Sequence, residues 1–262
     1  MAFVQKSSAN ADGVAASTVH PALAGVVAGN TLALILGSSE AASGNASFST
    51  PTDSAGQNWS KAVGANSNGT GGGDFTKVAI YYLLNANSGT HTLTLSSPNG
   101  TDYFGYTIVE FPACTAVDVS TTNSGNASAT TGNTGTTATT TQANDVVLVG
   151  LVTNTSGSGL ANAAFSNPPS GYTSLYVENA TNAHVGSQHS YKEVSATGTQ
   201  SATWTWTTGA QTAWAACIAT FKMTGGGQSA SASEGYTADS TQTATQGTAS
   251  SASEAITANS TQ

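Results

Sequence analysis

Apolar positions along this chain fall in runs of strand length, set apart by clusters of Gly, Asn, Ser and Pro. The first set reads "AFVQKSS", "GVAASTV", "TLALILG", "NWSKAVG", "KVAIYYLLN", "HTLTLS" and "YFGYTIVEF". The second reads "DVVLVGLV", "YTSLYVE", "SQHSYKEV", "SATWTWT" and "TAWAACIATFK". Turn signals recur at short intervals with no helical period between them. That pattern predicts an all-β protein folded as a sandwich or barrel.

The two sets match in order. "AGNTLALILG" aligns with "QANDVVLVGL", with Asn30 over Asn144; "NSGTHTLTL" aligns with "ATGTQSATW", with Leu95 over Trp204; "YTIVEF" aligns with "ACIATF", with Phe111 over Phe221. We read a duplication: two related five-strand halves, about 13–119 and 142–224, fused into one antiparallel β-sandwich domain spanning 1–224. Between them "STTNSGNASATTGNTGTTATTTQAND" has no apolar residue larger than Ala and is expected to be a surface crossover or a mobile loop. The stretch "KVAIYYLL" is apolar on both faces, so both faces must be covered. Its own loops are one cover and a neighbouring subunit is the other, which makes Tyr81 and Leu83 candidate assembly contacts. The matching "SQHSYKEV" is polar on at least one face.

Composition narrows the partners. Charged residues are 7% of the chain, against roughly 25% in ordinary globular proteins. Five Lys, no Arg and thirteen carboxylates give a net charge of −8. The basic footprint of phosphate binding is missing, so no nucleic-acid partner is expected. The start "MAFVQKSSANADG" has no apolar signal region and "TLALILG" is too short to cross a bilayer, so neither secretion by a signal nor membrane insertion is expected. Cys114 and Cys217 read as buried thiols, with a disulfide between neighbouring strands as the alternative.

Candidate chemistry is sparse. Of His20, His91, His184 and His189, only the last two are close in sequence, without a third ligand at metal spacing. Glu110 and Glu193 could serve a glycosidase only if they faced one cleft; both read as polar members of strands. Asp53 flanks a Gly-containing turn, where Asx-turn chemistry accounts for it. No cofactor is expected, with a turn-bound structural calcium as the alternative. Among the aromatics, Trp204 falls over a core position, which leaves Trp59, Tyr103 and Tyr172, near turns, as candidate glycan-stacking residues.

The pieces "AGNTLALILG", "DSAGQNWSKAV", "SGTHTLTLS" and "YTIVEF…DVS" resemble a family of β-sandwich modules found in phage virion proteins and bacterial surface proteins, over about residues 13–223. The resemblance implies a jelly-roll-like sandwich used for display, attachment or glycan contact; its motifs carry no catalytic residue. After "TGGG", a hinge, residues 225–262 form an arm in which "SASEGYTADSTQ" returns as "SASEAITANSTQ". Tyr236 and Ile256 hold equivalent positions in the two copies and are candidate assembly pegs. The expectation is a non-enzymatic virion surface protein, a head decoration or fibre-type subunit, homo-oligomeric and bound to other capsid or tail proteins. The alternative is a carbohydrate-binding adhesin module that contacts a host-surface glycan. Either role places the protein on the virion surface or outside the cell.

Overall fold

The computed structural model describes residues 3–10, 18–40, 47–68, 75–97, 102–126, 129–154, 164–165, 167–178, 186–207 and 213–224. The chain divides into two units, Met1–Gln228 and Ser229–Gln262. The second lies wholly outside the described residues, and with it Tyr236 and Ile256.

The first unit is all-β and antiparallel. Its first half runs β1 (Gln5–Asn10), β2 (Thr18–Val19), β3 (Ala22–Val26), β4 (Thr31–Glu40), β5 (Thr52–Asp53), β6 (Ser60–Asn68), β7 (Phe75–Leu83), β8 (Gly89–Ser96) and β9 (Asp102–Phe111). The second half runs β10 (Cys114–Gly125), β11 (Thr131–Asn133), β12 (Asp145–Asn154), β13 (Thr173–Glu178), β14 (Gly186–Val194), β15 (Thr203–Thr205) and β16 (Ala213–Met223). Two five-stranded sheets result, in the orders β1-β9-β4-β7-β6 and β10-β16-β12-β14-β13. The orders correspond strand for strand, and in each the first strand of the half lies beside its last, as in a jelly roll. Against the first sheet, β8 is flanked by β2 and β3 on one side and by β5 on the other. Against the second, β15 pairs with β11, and an isolated bridge joins Phe165 to Trp206.

Three cores separate four layers. Leu32, Leu34, Leu36, Tyr81, Leu93, Leu95 and Ile108 fill the first half, and Val147, Val149, Leu151, Trp204, Trp206 and Ile218 fill the second. The third core lies between the two large sheets, where Ile35, Ile80 and Phe111 meet Leu148, Cys217 and Phe221. The central strands β4, β7, β12 and β16 are therefore buried on both faces, the setting that near-continuous apolar runs require. Tyr81 and Leu83, expected as assembly contacts, are instead interior, and the Tyr81 hydroxyl donates to the Phe48 carbonyl at 3.0 Å. The chain supplies its own cover.

The shared core is approximately twofold. Tyr82 meets Phe221 with ring centroids 5.6 Å apart, and its counterpart Tyr191 meets Phe111 at 5.9 Å. At the centre the sheets approach closely because Gly150 lacks a side chain: a Cβ there would stand 2.6 Å from Ile35 Cγ2 and 3.1 Å from Val78 Cγ2. The sheet margins are tied across the gap by Ser67 Oγ to the Gly125 carbonyl (2.7 Å) and by Lys6 Nζ to the Leu175 carbonyl.

The register corrects one alignment. Thr31 pairs with Phe111 and Val146 with Phe221, so Thr31 corresponds to Val146, and Asn144 corresponds to Gly29 rather than to Asn30. Both Gly29 (φ 87°) and Asn144 (φ 63°) are left-handed, a conformation that Gly and Asn tolerate best. The shared backbone conformation, not the shared Asn, marks the true equivalence.

The stretch expected as a crossover or loop is also corrected. Its first residues, Ser120–Gly125, complete β10, the counterpart of β1, so the second half starts near residue 114. Residues 134–140 then take the place of β3 by an unusual device. The amides of Thr134, Thr137 and Thr140 donate to the carbonyls of Ala202, Gln200 and Gly198 at 2.9–3.0 Å. In return the amides of those three residues donate to the Thr134, Thr137 and Thr140 hydroxyls at 3.0, 2.9 and 3.1 Å. Hydroxyls stand in for backbone carbonyls, which lets threonines three apart match partners two apart. A segment without large apolar side chains is thereby ordered by hydrogen bonds.

Candidate functional site

The polar strand β14 is where sequence pattern and structure differ most. Ser187, Gln188, His189 and Ser190 are all buried. His189 faces the shared core, its Nδ1 2.9 Å from Thr107 Oγ1 and its Nε2 3.0 Å from Ser187 Oγ, while Ser187 donates to the Leu151 carbonyl at 3.2 Å. Ser187 therefore accepts from Nε2–H and Thr107 donates to Nδ1, a neutral tautomer. Burial depresses the imidazole pKa to about 3, because a low-dielectric interior disfavours the charged form. The Tyr176 ring lies 5.2 Å away, and its hydroxyl donates to Glu178 at 2.8 Å.

A second cluster pins the turns of the first half. Asp53 Oδ1 accepts from the Ala55 amide at 2.9 Å, the expected Asx-turn, and Oδ2 accepts from Trp59 Nε1 at 3.0 Å. His91 Nδ1 stands 2.7 Å from the same Oδ2 and Nε2 stands 3.0 Å from the Asn87 carbonyl. Both ring nitrogens thus face oxygen atoms, one of a side chain and one of the backbone. Trp59 is thus buried and pinned by its indole N–H, so it offers no stacking face.

Tyr172 is likewise buried, its hydroxyl on the Ser201 carbonyl at 3.0 Å and Lys192 Nζ 4.5 Å above its ring. Tyr103 is half-buried against the shared core. The three aromatics expected as glycan-stacking residues are two interior side chains and one partly covered one. Sequence position near a turn misled here, because these turns fold over their own cores.

The two glutamates do not share a role. Glu110 is buried and accepts from Gln5 Nε2 (2.6 Å), the Val27 amide (2.9 Å) and Asn30 Nδ2 (2.7 Å). It ties β1 and the β3–β4 turn to β9. Glu193 is exposed on β14. In the second half the carboxylate has changed strand: Thr220 stands in the place of Glu110, and Asp145 in that of Asn30. Neither Asp145 oxygen makes a hydrogen bond of good geometry among the described residues, although Asp118, Gln142 and Thr220 surround it. Burial pushes the Asp145 carboxyl up to about 6, and the neighbouring Asp118 carboxylate adds to the rise. For Asp118 burial also works upwards, but the hydrogen bonds from Thr141, with the Asp145 carboxyl and the Lys222 ammonium alongside, outweigh it and hold the group below the usual range. Thr141 donates to it twice, at 2.6 Å each, and Lys222 Nζ lies 3.4 Å away.

The third cluster, on the outer-core face of the first sheet, was not anticipated. Lys77 Nζ lies 3.2 Å from Asp102 Oδ2, both side chains are fully buried, and Ser38 Oγ donates to that same oxygen at 3.2 Å. The signal was present as an isolated Lys opening an apolar run.

Among the described residues, no group of three or more His, Cys, Asp or Glu converges as a metal cage. Cys114 and Cys217 are free, buried thiols. They stand opposite Met223 and Thr122 respectively in the β10–β16 ladder, so the alternative disulfide does not form. Comparison with protein-family models, with curated proteins and with solved structures found no match.

Proposed function

We propose that the protein is a non-enzymatic structural subunit of a virion surface, of the head-decoration or fibre kind, with the repeated C-terminal arm as its assembly element. The observation that carries this reading is how the polar clusters are spent. Glu110 accepts three hydrogen bonds, Asp53 accepts three, and both nitrogens of His91 and of His189 are engaged. These groups fasten strands and turns to one another; a general base or nucleophile needs an unspent lone pair facing substrate. Two stacked jelly rolls with a neutral hydroxyl-and-amide surface suit a module built to be displayed.

The arm supplies the rest of the argument. Two copies of a motif, each with one large apolar residue, cannot bury that residue alone and are suited to pairing with symmetric neighbours or with another virion protein. The burial of Trp59 and Tyr172 weighs against the glycan-binding alternative.

Light scattering on the full chain and on residues 1–224 tests the reading. An oligomer that becomes monomeric on truncation, or a full chain that co-purifies with capsid or tail proteins through its arm, supports it. A chain that is monomeric in both forms, ignores virion proteins and binds a glycan array overturns it.

A further inference from the structure

We propose that Lys77 and Asp102 condense to an intramolecular amide, a covalent cross-link from β7 to β9 across β4. The pair is preset for it. Nζ lies 3.2 Å from Oδ2 and both side chains are fully buried. The Phe48 ring is 5.8 Å from Nζ, and Phe104 packs 6.3 Å from Phe48. Asp102 Oδ1 has no hydrogen-bond partner among the described residues, so as a carboxylate it is an anion only half satisfied in an apolar surround, which is costly.

The step opens with a proton transfer inside the pair. One proton passes from the Lys77 ammonium to the carboxylate, giving an amine beside a carboxylic acid. Nζ then adds to Cγ, the C–O bond to the protonated oxygen breaks, and that oxygen leaves as water with a second proton from Nζ. Oδ2, the oxygen that faces Nζ, is the one that leaves, and Oδ1 remains as the amide carbonyl. No oxidant, reductant or further reactant is needed, and holding the two groups in contact makes the step unimolecular.

The fold itself does not require this pair. Ala79 corresponds to Gln188 through the β4–β7 and β12–β14 registers, which puts Gly186 in the place of Lys77. The second half builds the same sheet with no ammonium there. The inference is independent of the proposed function.

Intact-mass spectrometry of the purified full chain under denaturing conditions tests it. The expected mass is one water below that of the sequence, with the peptides carrying Lys77 and Asp102 recovered as one branched species after digestion. Lys77→Arg and Asp102→Ala should each restore the full mass. A wild-type chain at the full sequence mass overturns the proposal, as does a water loss mapped to any other site. The wild-type measurement decides the question even if a variant fails to fold.

Discussion

Tyr82 packs edge-on against Phe221 across the two large sheets, at 5.6 Å and 67°, and each residue has a counterpart, Tyr191 and Phe111, in the reciprocal contact. At its aromatic positions the interface between the halves is therefore one contact made twice. A duplicated jelly roll needs no new surface to pair with itself, because a face that is complementary once under twofold symmetry is complementary twice.

Truncating this interface should destabilise both halves together. Phe221→Ala removes a fully buried ring and should cost about 3–5 kcal/mol. Denaturant unfolding should remain a single transition with a lower midpoint. Two separated transitions would mean that the halves are independent folding units.

The threonine ladder offers an isosteric test. Thr137→Val keeps the shape but leaves the Gln200 amide without its acceptor, which should cost about 1–3 kcal/mol. Thr137→Ser should recover most of it. Equal stability of all three in urea titrations would show that the hydroxyl contributes nothing.

Glu110→Gln swaps one acceptor oxygen for an NH2 group facing donors. Three hydrogen bonds to a buried carboxylate are weakened, one of them turned into a clash of donors, and a loss of about 2–3 kcal/mol follows. The same substitution at exposed Glu193 should leave stability within about 0.5 kcal/mol. Parallel thermal melts of the two variants check the contrast.

Acid stability should hinge on two opposed groups. His189 titrates near 3 in the folded chain and at an ordinary 6.5 when unfolded; between those values the unfolded state holds more protons, so this group makes stability rise with pH. Asp145 titrates near 6 folded and at an ordinary 3.8 unfolded; there the folded state holds more protons, so this group makes stability fall with pH. Between pH 4 and 6 the two oppose each other. Asp145→Asn should expose the His189 slope, up to about 1.4 kcal/mol gained per pH unit on raising the pH. His189→Gln should expose the opposite slope. Denaturant midpoints taken across this range decide the signs.

Burial pushes the Cys114 thiol up to about 11 and the Cys217 thiol up to about 12, and the thiolate is the reactive form. Neither should react with an aromatic disulfide reagent in the native state at neutral pH, and both should react in denaturant. Rapid native labelling would contradict the burial of both.

Much of the fold was legible in the sequence. Alternating runs and turn clusters indicated an all-β sandwich, and matching "YTIVEF" to "ACIATF" revealed the duplication, because core positions must keep their apolar character. The polar segments were less legible. "NTGTTATTT" has no apolar period, and its order comes from hydroxyls meeting amides some sixty residues away. "SQHSYKEV" reads as half-exposed, yet His189 and Ser187 are buried because each satisfies the other and Thr107 completes the set. Trp59 and Tyr172 looked like rim residues because proximity to a turn says nothing of which way the turn folds.

By itself, then, the sequence determined the local chemistry: which stretches extend, which residues turn, and that two halves share one pattern. Only the tertiary structure decided what covers the doubly apolar strands and which polar groups become partners, among them Lys77 with Asp102 and Asn30 with Glu110. The physical reason is one of range. Strand propensity and turn conformation act over a few neighbours, whereas a buried polar group is tolerated or not according to an atom brought beside it from a distant part of the chain.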